Sequence, residues 1–227
     1  MDLLDFARGP ALAGSITVFV LGVAWRLVGL WRRPSQRDLS PPREGAPGRL
    51  AGALQGIVRG LWPRREFGQN AMVTTFNGYV LHIGLALTFL AYAPHIDFVR
   101  RLTGVGWPAL PDPVMYLSAA AAMFALLFAL WSRIDDPVRR RISGVDDYVS
   151  WVVTFLPFVT GMAVISEPSS AVAARDTVLY RLPLAVHLLS LELLLLWFPF
   201  GKLMHALLFA FSRGATGMRF SHRGVST

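Results

Sequence analysis

Five stretches of the sequence are apolar over about 20 residues each, and they limit the possible folds more than any other feature. They cover about residues 11–31, 72–93, 113–131, 148–165 and 182–211. A helix of about 20 apolar residues crosses a hydrocarbon core about 30 Å thick. The pattern therefore predicts an all-α integral membrane bundle of five helices, forming one domain over residues 1–227. A hydrophobic content of 54% agrees with this prediction.

The distribution of Lys and Arg predicts the orientation of the helices. Sixteen basic residues fall on one side of the predicted membrane, and five fall on the other. The sixteen are Arg32, Arg33, Arg37, Arg43, Arg49, Arg59, Arg64, Arg65, Arg133, Arg139, Arg140, Arg141, Lys202, Arg213, Arg219 and Arg223, and the five are Arg8, Arg100, Arg101, Arg175 and Arg181. We expect the N-terminus outside and the C-terminus in the cytoplasm. The first helix is expected to be retained, with a cleaved signal peptide as the alternative.

The formal net charge of +8 does not indicate a nucleic-acid-binding protein, because the basic residues lie between apolar runs. We expect residues 32–70 to form a cytoplasmic linker. Within it, Pro34–Gly48 is typical of irregular chain. Leu50–Leu61 has the apolar spacing of a short amphipathic helix. That helix could lie on the lipid surface or dock a partner.

Four histidines fall in or at the ends of two predicted spans. His82 and His95 belong to the second, and His187 and His205 belong to the fifth. Ionisable groups at membrane depth indicate function, and imidazole is a common axial ligand of haem iron. Two histidines on each of two helices therefore predict bis-histidine haems. The fifth histidine, His222, lies in a basic tail and is expected to be solvated.

The spacing of these histidines predicts two ligand pairs. On a continuous helix, the 18-residue separation of His187 and His205 is five turns, which places both on one face about 27 Å apart. His82 and His95 are 13 residues apart, about 19.5 Å along a helix, and Pro94 redirects the chain beside the second. Antiparallel helices then pair His82 with His205 on the cytoplasmic side and His95 with His187 on the outer side.

The chain has no cysteine. It therefore cannot ligate an iron–sulfur cluster through thiolates or attach haem covalently. If the histidines bind haem, any iron–sulfur cluster must belong to a partner subunit.

Several motifs carry a resemblance to a known family. They are His187-Leu188-Leu189, Phe198-Pro199-Phe200-Gly201-Lys202-Leu203-Met204-His205, Leu81-His82-Ile83-Gly84, Gly144-Val145-Asp146-Asp147-Tyr148 and Thr160-Gly161. The sequence resembles the gamma subunit of respiratory nitrate reductases. It is also similar to the cytochrome b subunits of heterodisulfide-reductase-like and sulfite-reductase-associated membrane complexes. In the nitrate reductase type the second histidine of helix 2 comes ten residues after the first, where this chain has Tyr92.

The resemblance implies the quinone-reactive subunit of a multi-subunit oxidoreductase in a bacterial or archaeal cell (inner) membrane. It implies quinol oxidation near the outer surface, electron passage through two b haems, and delivery to a cytoplasmic iron–sulfur subunit. His95 would replace the ligand missing at Tyr92. The alternative at this position is a one-haem protein in which His187 meets the quinone. Alternatives for the whole chain are a haem-free membrane anchor that recruits a soluble redox partner, and a small proton-relaying transporter.

Glu192, Tyr92 and Asp97 are the candidate catalytic residues of a quinone and proton site. Glu192 lies five residues after His187 and could relay protons, or it could stay protonated and bond to Ser190 or the backbone. Charged residues beside the outer site could bind haem propionates or anchor the interface. They are Arg100, Arg101, Arg175 and Asp176, with Tyr180 nearby. On the cytoplasmic side, several basic residues could meet propionates or an acidic partner, although the positive-inside distribution alone explains most of them. They are Arg26, Arg64, Arg65 and the run Arg139–Arg141.

Overall fold

The computed structural model describes residues 2–34, 39–62, 68–165 and 178–225. Within these ranges the secondary structure is helical, and no strand occurs. The elements are α1 (Leu3–Phe6), a π-helical turn (Ala7–Ala11), α2 (Leu12–Trp31), α3 (Arg49–Arg59), α4 (Gly68–Leu90), α5 (Ala93–Thr103), α6 (Asp112–Asp135), α7 (Pro137–Ile142), α8 (Val145–Ile165), α9 (Val178–Trp197), a 3-10 turn (Lys202–Met204) and α10 (His205–Arg223). Five residues discussed above lie outside the described ranges: Arg37, Arg64, Arg65, Arg175 and Asp176.

Among the described residues, five helices are long and apolar enough to cross a membrane, which confirms the predicted number of spans. They are Leu3–Trp31, Ala71–Leu90, Asp112–Asp135, Val145–Val164 and Tyr180–Trp197. The first begins earlier than predicted, because α1 and the π-helical turn lead directly into α2. The chain therefore has the helices of a multi-pass membrane protein. The side on which each terminus lies stays a prediction.

The prediction of one continuous fifth helix over residues 182–211 is wrong for the second half of this range. Helix α9 ends at Trp197, and α10 begins only at His205. Pro199 lacks a backbone N–H, and its ring clashes with the preceding helical turn. Gly201 then adopts extended backbone (φ −95°, ψ −177°) before the 3-10 turn. The 27 Å separation on one face no longer holds, because His187 and His205 do not share a continuous helix.

The predicted second span, residues 72–93, also ends early, at Leu90. Tyr92 is extended, and Pro94 lies in the first turn of the new helix α5, which carries His95. The prediction that Pro94 redirects the chain beside His95 is thus confirmed. Carbonyl groups at the end of α4 have no partner within the helix and accept hydrogen bonds from the following loop. The Leu90 carbonyl accepts from the Trp107 indole N–H at 2.5 Å, and the Ala91 carbonyl accepts from the Leu110 amide at 2.9 Å.

The described chain groups into two compact units. The first comprises Met1–Phe19 and Phe76–Trp197, and the second comprises Val20–Thr75 and Phe198–Thr227. In the first unit a buried cluster joins α6 to α8 through Ala122, Leu126 and Phe158. The Trp151 indole donates to the Leu126 carbonyl at 2.7 Å and links the same two helices.

The Gly144–Tyr148 motif has a structural role at the start of α8. The Asp147 side chain is 5% exposed, and it pairs with Arg133 of α6 at 2.9 Å. Its other oxygen accepts the Gly144 amide at 3.0 Å. A buried carboxylate needs such partners, so the motif fixes the N-terminus of α8 against α6.

In the second unit, the predicted amphipathic helix forms as α3 and packs on α10. Gly56 and Gly217 meet backbone to backbone, because a Cβ at Gly56 would lie 2.5 Å from the Cα of Gly217. Ile57 faces Gly214 of α10, whereas Leu50, Leu54 and Val58 of the apolar row are exposed. Packing on α10 therefore uses glycines, and it leaves the leucine row for lipid or a partner.

Candidate functional site

Two of the four predicted ligand histidines come together in the first unit. The ring centres of His95 on α5 and His187 on α9 lie 6.3 Å apart, and the ring planes differ by only 11°. Both side chains are partly buried. The residues of the predicted outer pair are thus neighbours, although 92 positions separate them along the chain.

Helix α8 holds the His187 ring from one side. His187 Nδ1 lies 3.1 Å from the Thr160 hydroxyl, which also lies 2.8 Å from the Leu156 carbonyl. A hydroxyl has one proton, so when Leu156 accepts it the ring nitrogen is the donor to Thr160. Gly161 leaves room for the ring, because a Cβ at this position would lie 3.1 Å from His187 Cε1.

The break after α4 places His95. Its Nδ1 lies 2.9 Å from the Thr88 carbonyl, and a carbonyl can only accept. The edge of the Tyr92 ring contacts the His95 ring, with ring centres 5.3 Å apart at 86°. Burial raises the pKa of Tyr92 to about 12, so the phenol keeps its proton at neutral pH and can donate a hydrogen bond.

In three of the four predicted ligands Nδ1 faces a backbone carbonyl, whereas His187 Nδ1 faces the Thr160 hydroxyl. His82 Nδ1 lies 2.6 Å from the Gly78 carbonyl, and His205 Nδ1 lies 2.8 Å from the Lys202 carbonyl. A neutral ring that donates through Nδ1 carries its metal-binding lone pair on Nε2. Ligating histidines commonly hold their second nitrogen in this manner. His222 is the opposite case, because its Nε2 faces the Ser40 carbonyl at 2.8 Å.

The spacing of His95 and His187 fits one iron between two imidazoles. A metal–imidazole bond of about 2 Å on each side, with about 1.1 Å more from each nitrogen to its ring centre, separates the ring centres by about 6 Å. The observed 6.3 Å agrees with this value. No group of three or more His, Cys, Asp or Glu side chains suited to a bare metal ion occurs in the part of the chain that the structure describes. The pair therefore suits a group that supplies its other ligands itself, as haem does.

His205 lines a cavity of about 980 Å³ in the second unit. Apolar side chains of α2 and α10 form much of its wall, including Leu27, Trp31 and Phe209. Arg26 and Lys202 also line it. This volume is at the upper end of the range for ligand sites, about 300–1,000 Å³.

His82 lies on α4 and is exposed, and its residue belongs to the first unit. Its predicted partner, His205, belongs to the second unit. The pairing of His82 with His205 therefore stays a prediction. The pairing of His95 with His187 rests on contacts within one unit.

Glu192 is buried on α9, with 4% of the residue exposed. Its Oε1 has no hydrogen-bond partner among the residues that the structure describes. Ser190, one of the predicted partners, instead donates to the His187 carbonyl at 2.7 Å and lies 2.9 Å from the Thr160 hydroxyl. A buried carboxyl oxygen without a partner is rare, so Glu192 stays a candidate for a functional role.

Asp97, unlike the other two candidate catalytic residues, forms an ion pair with a neighbouring cation. Its carboxylate pairs with Arg100 on the same helix at 2.8 Å, and about half of the side chain is exposed. Exposed pairs of this kind contribute about 0–1 kcal/mol to stability. The geometry therefore favours Glu192 and Tyr92 over Asp97 as groups that move protons.

Comparison with known proteins places the chain in a family. A protein from Nitratidesulfovibrio vulgaris (strain Hildenborough), given only the name "Protein", is 31% identical over 229 residues, which cover 98% of this chain and 96% of that protein. This chain belongs to the same family. The match runs along nearly the full length of both proteins, so the relationship covers the whole chain and not one segment. No family model matches the sequence. No solved structure matches it either.

Sequence reasoning missed the residues that hold the ligands. Thr160 and Thr88 fix the two imidazoles, yet a threonine in an apolar helix has no distinctive pattern. One sequence feature could have indicated this contact: in Thr160-Gly161 a polar residue and a small residue are adjacent within the otherwise apolar α8. Lys202 was considered as a basic residue and as part of the Phe198–His205 motif, and the contact of its carbonyl with His205 was not predicted.

Proposed function

We propose that the chain is the membrane cytochrome b subunit of a respiratory oxidoreductase in a bacterial or archaeal cell membrane. It exchanges electrons between the quinone pool and a cytoplasmic iron–sulfur subunit, most directly by oxidising quinol. The observation that carries this proposal is the His95–His187 pair, whose 6.3 Å spacing and nearly parallel planes suit axial ligation of one haem b. The missing cysteines agree, because the iron–sulfur cluster must then belong to a partner.

In this proposal His95 and His187 hold the outer haem, and His82 and His205 hold the cytoplasmic one. Haem supplies one-electron transfer when bound. The protein would set the orientation of the ligands, because Thr88 and Thr160 engage Nδ1 of His95 and of His187 and would leave Nε2 of each for the iron. Gly161 keeps the His187 ring unobstructed.

Oxidation of one quinol releases two electrons and two protons, so the site also needs groups that accept protons. Glu192 lies on the helix that carries His187, and its unpartnered Oε1 can take a proton without breaking an existing hydrogen bond. The Tyr92 phenol contacts His95 and can donate to a quinone oxygen. We assign Glu192 to proton transfer and Tyr92 to quinone binding.

The test is the haem-to-protein ratio of the detergent-purified chain, measured by pyridine haemochrome. We expect two b haems in the native chain and one in the His95→Ala variant. His222→Ala is the matched control, because this histidine presents the opposite ring nitrogen and should leave both haems in place.

Other ratios would overturn parts of the proposal. One haem that is unaffected by His95→Ala would leave a single His82–His205 site, with His187 available to the quinone. A folded chain without haem would contradict the cytochrome assignment and would favour the haem-free anchor that recruits a soluble redox partner.

A further inference from the structure

The cavity around His205 combines an apolar wall with two cations. Its lining residues are Arg26, Leu27, Val28, Leu30, Trp31, Gly201, Lys202, Met204, His205, Leu208, Phe209, Phe211, Ser212 and Ala215. No Asp or Glu is among them. An apolar cavity that presents positive charge and no negative charge is suited to an amphiphilic ligand with an anionic group.

Arg26 is the less expected of the two cations. It lies inside the first apolar span, five residues before the end of α2 at Trp31. A charged side chain in such a span is unfavourable unless it is paired or reaches the interface. No ion pair or hydrogen bond joins Arg26 to another residue of the described chain. Arg26 is exposed and lines the cavity together with Lys202, so both residues offer positive charge to a ligand there.

The backbone around the cavity fixes where Arg26 lies. A Cβ at Gly22 would come within 2.6 Å of Pro199 Cβ, so α2 approaches the turn after Trp197 closely at this point. Arg26 follows one helical turn later on the same helix and lines the same cavity as His205. The cation is therefore carried by a helix already packed at Gly22, not by a loop.

We propose that Arg26 pairs with a carboxylate of the ligand that His205 holds in this cavity. The inference rests on the proposed function, in which that ligand is haem b and the carboxylate is one of its propionates. The guanidinium presents a planar pair of N–H donors that matches a carboxylate. A nearby positive charge also favours the reduced haem, so Arg26 raises the midpoint potential of this haem.

The experiment is a potentiometric titration of the haem absorption of the full chain. The haem of interest is the component that disappears from the titration of His205→Ala. In Arg26→Gln we expect its potential to fall below the native value. Arg26→Lys keeps the charge and should restore most of the potential. The matched control is Arg33→Gln, which removes the same charge from a residue that does not line the cavity.

The second haem component is the internal check on folding, and its potential should not change in any of these variants. The inference is overturned if Arg26→Gln leaves the potential and the content of the His205 haem unchanged. It is also overturned if Arg26→Gln instead loses a co-purified anionic phospholipid, detected by mass spectrometry, while that potential stays the same. A native chain without haem would contradict the proposed function itself, which is a different result from an unchanged potential.

Discussion

The two candidate haem sites are built on different principles. In the site of the first unit, both imidazoles are neighbours, and each has its Nδ1 engaged by the protein. In the site of the second unit, one imidazole lines a cavity of about 980 Å³ together with Arg26 and Lys202. His205 also has its Nδ1 engaged, by the Lys202 carbonyl. The sites therefore differ in what lies beside the imidazole, which is a second imidazole in the first unit and an open, positively charged cavity in the second. In the proposed function, these are two separate indications of haem.

The two sites also differ in the ionisable residues that accompany the histidines. A buried carboxyl, Glu192, lies five residues after His187 on α9. The other site has two cations in its lining and no carboxylate. A site that accepts protons from quinol needs the former, and a site that only passes electrons gains from the latter. In the proposed function, quinone chemistry therefore belongs to the His187 side.

The largest expected effect is the loss of a whole haem from the second site. Because His82 and His205 are proposed to ligate the same haem, His82→Ala and His205→Ala should each remove one haem of two. The double variant should lose no more than either single variant. Pyridine haemochrome of the three purified proteins measures this. If the double variant retains less haem than each single one, the two histidines serve different sites.

Removing the buried carboxyl should impair quinol oxidation. Glu192→Gln keeps the shape of the side chain but cannot accept the proton, and loss of a positioned acid–base group commonly lowers a rate by about 10²-fold. Stopped-flow reduction of the haem by duroquinol measures this effect. Reduction by dithionite needs no proton acceptor in the protein, so it should stay at the native rate. Equal duroquinol rates in the two proteins would remove Glu192 from the mechanism.

A smaller effect is expected from the hydroxyl that orients His187. Thr160→Val keeps the volume and removes the hydrogen-bond partner of Nδ1, and such changes commonly weaken metal binding by about 10-fold to 100-fold. Retention of haem against apomyoglobin as a haem acceptor measures the loss. The matched control is Thr154→Val, whose hydroxyl bonds only to the Ser150 carbonyl in the same helix. Equal retention in both variants would show that the Thr160 contact is not needed.

Much of the fold could be predicted from the sequence, because apolar length alone identifies a span. The fifth span shows where this reasoning fails. Residues 182–211 are apolar almost throughout, and that uniformity hid the effect of Pro199 and Gly201, which end α9 and delay α10 until His205. Pro94 was interpreted correctly, because it lies at the edge of its apolar stretch, where a break fits both composition and backbone chemistry.

The candidate ligand histidines could be predicted from the sequence, but the residues that contact their rings could not. Histidines in apolar helices are conspicuous, so the sequence was enough to propose His95 and His187 as a pair. Thr160 lies 27 positions from His187, and only packing of α8 on α9 brings them together. Whether Glu192 Oε1 has a hydrogen-bond partner likewise depends on the residues that surround it in three dimensions.

The most direct test of the central claim is the electron paramagnetic resonance spectrum of the ferric His205→Ala variant, which should keep only the haem of His95 and His187. Two imidazoles with parallel planes interact with the same iron d orbital, whereas two with perpendicular planes interact with two different d orbitals. The planes in this structure differ by 11°, so we expect a rhombic low-spin spectrum. A high-spin spectrum would show that one histidine is not a ligand. Absence of haem from this variant would contradict the site altogether.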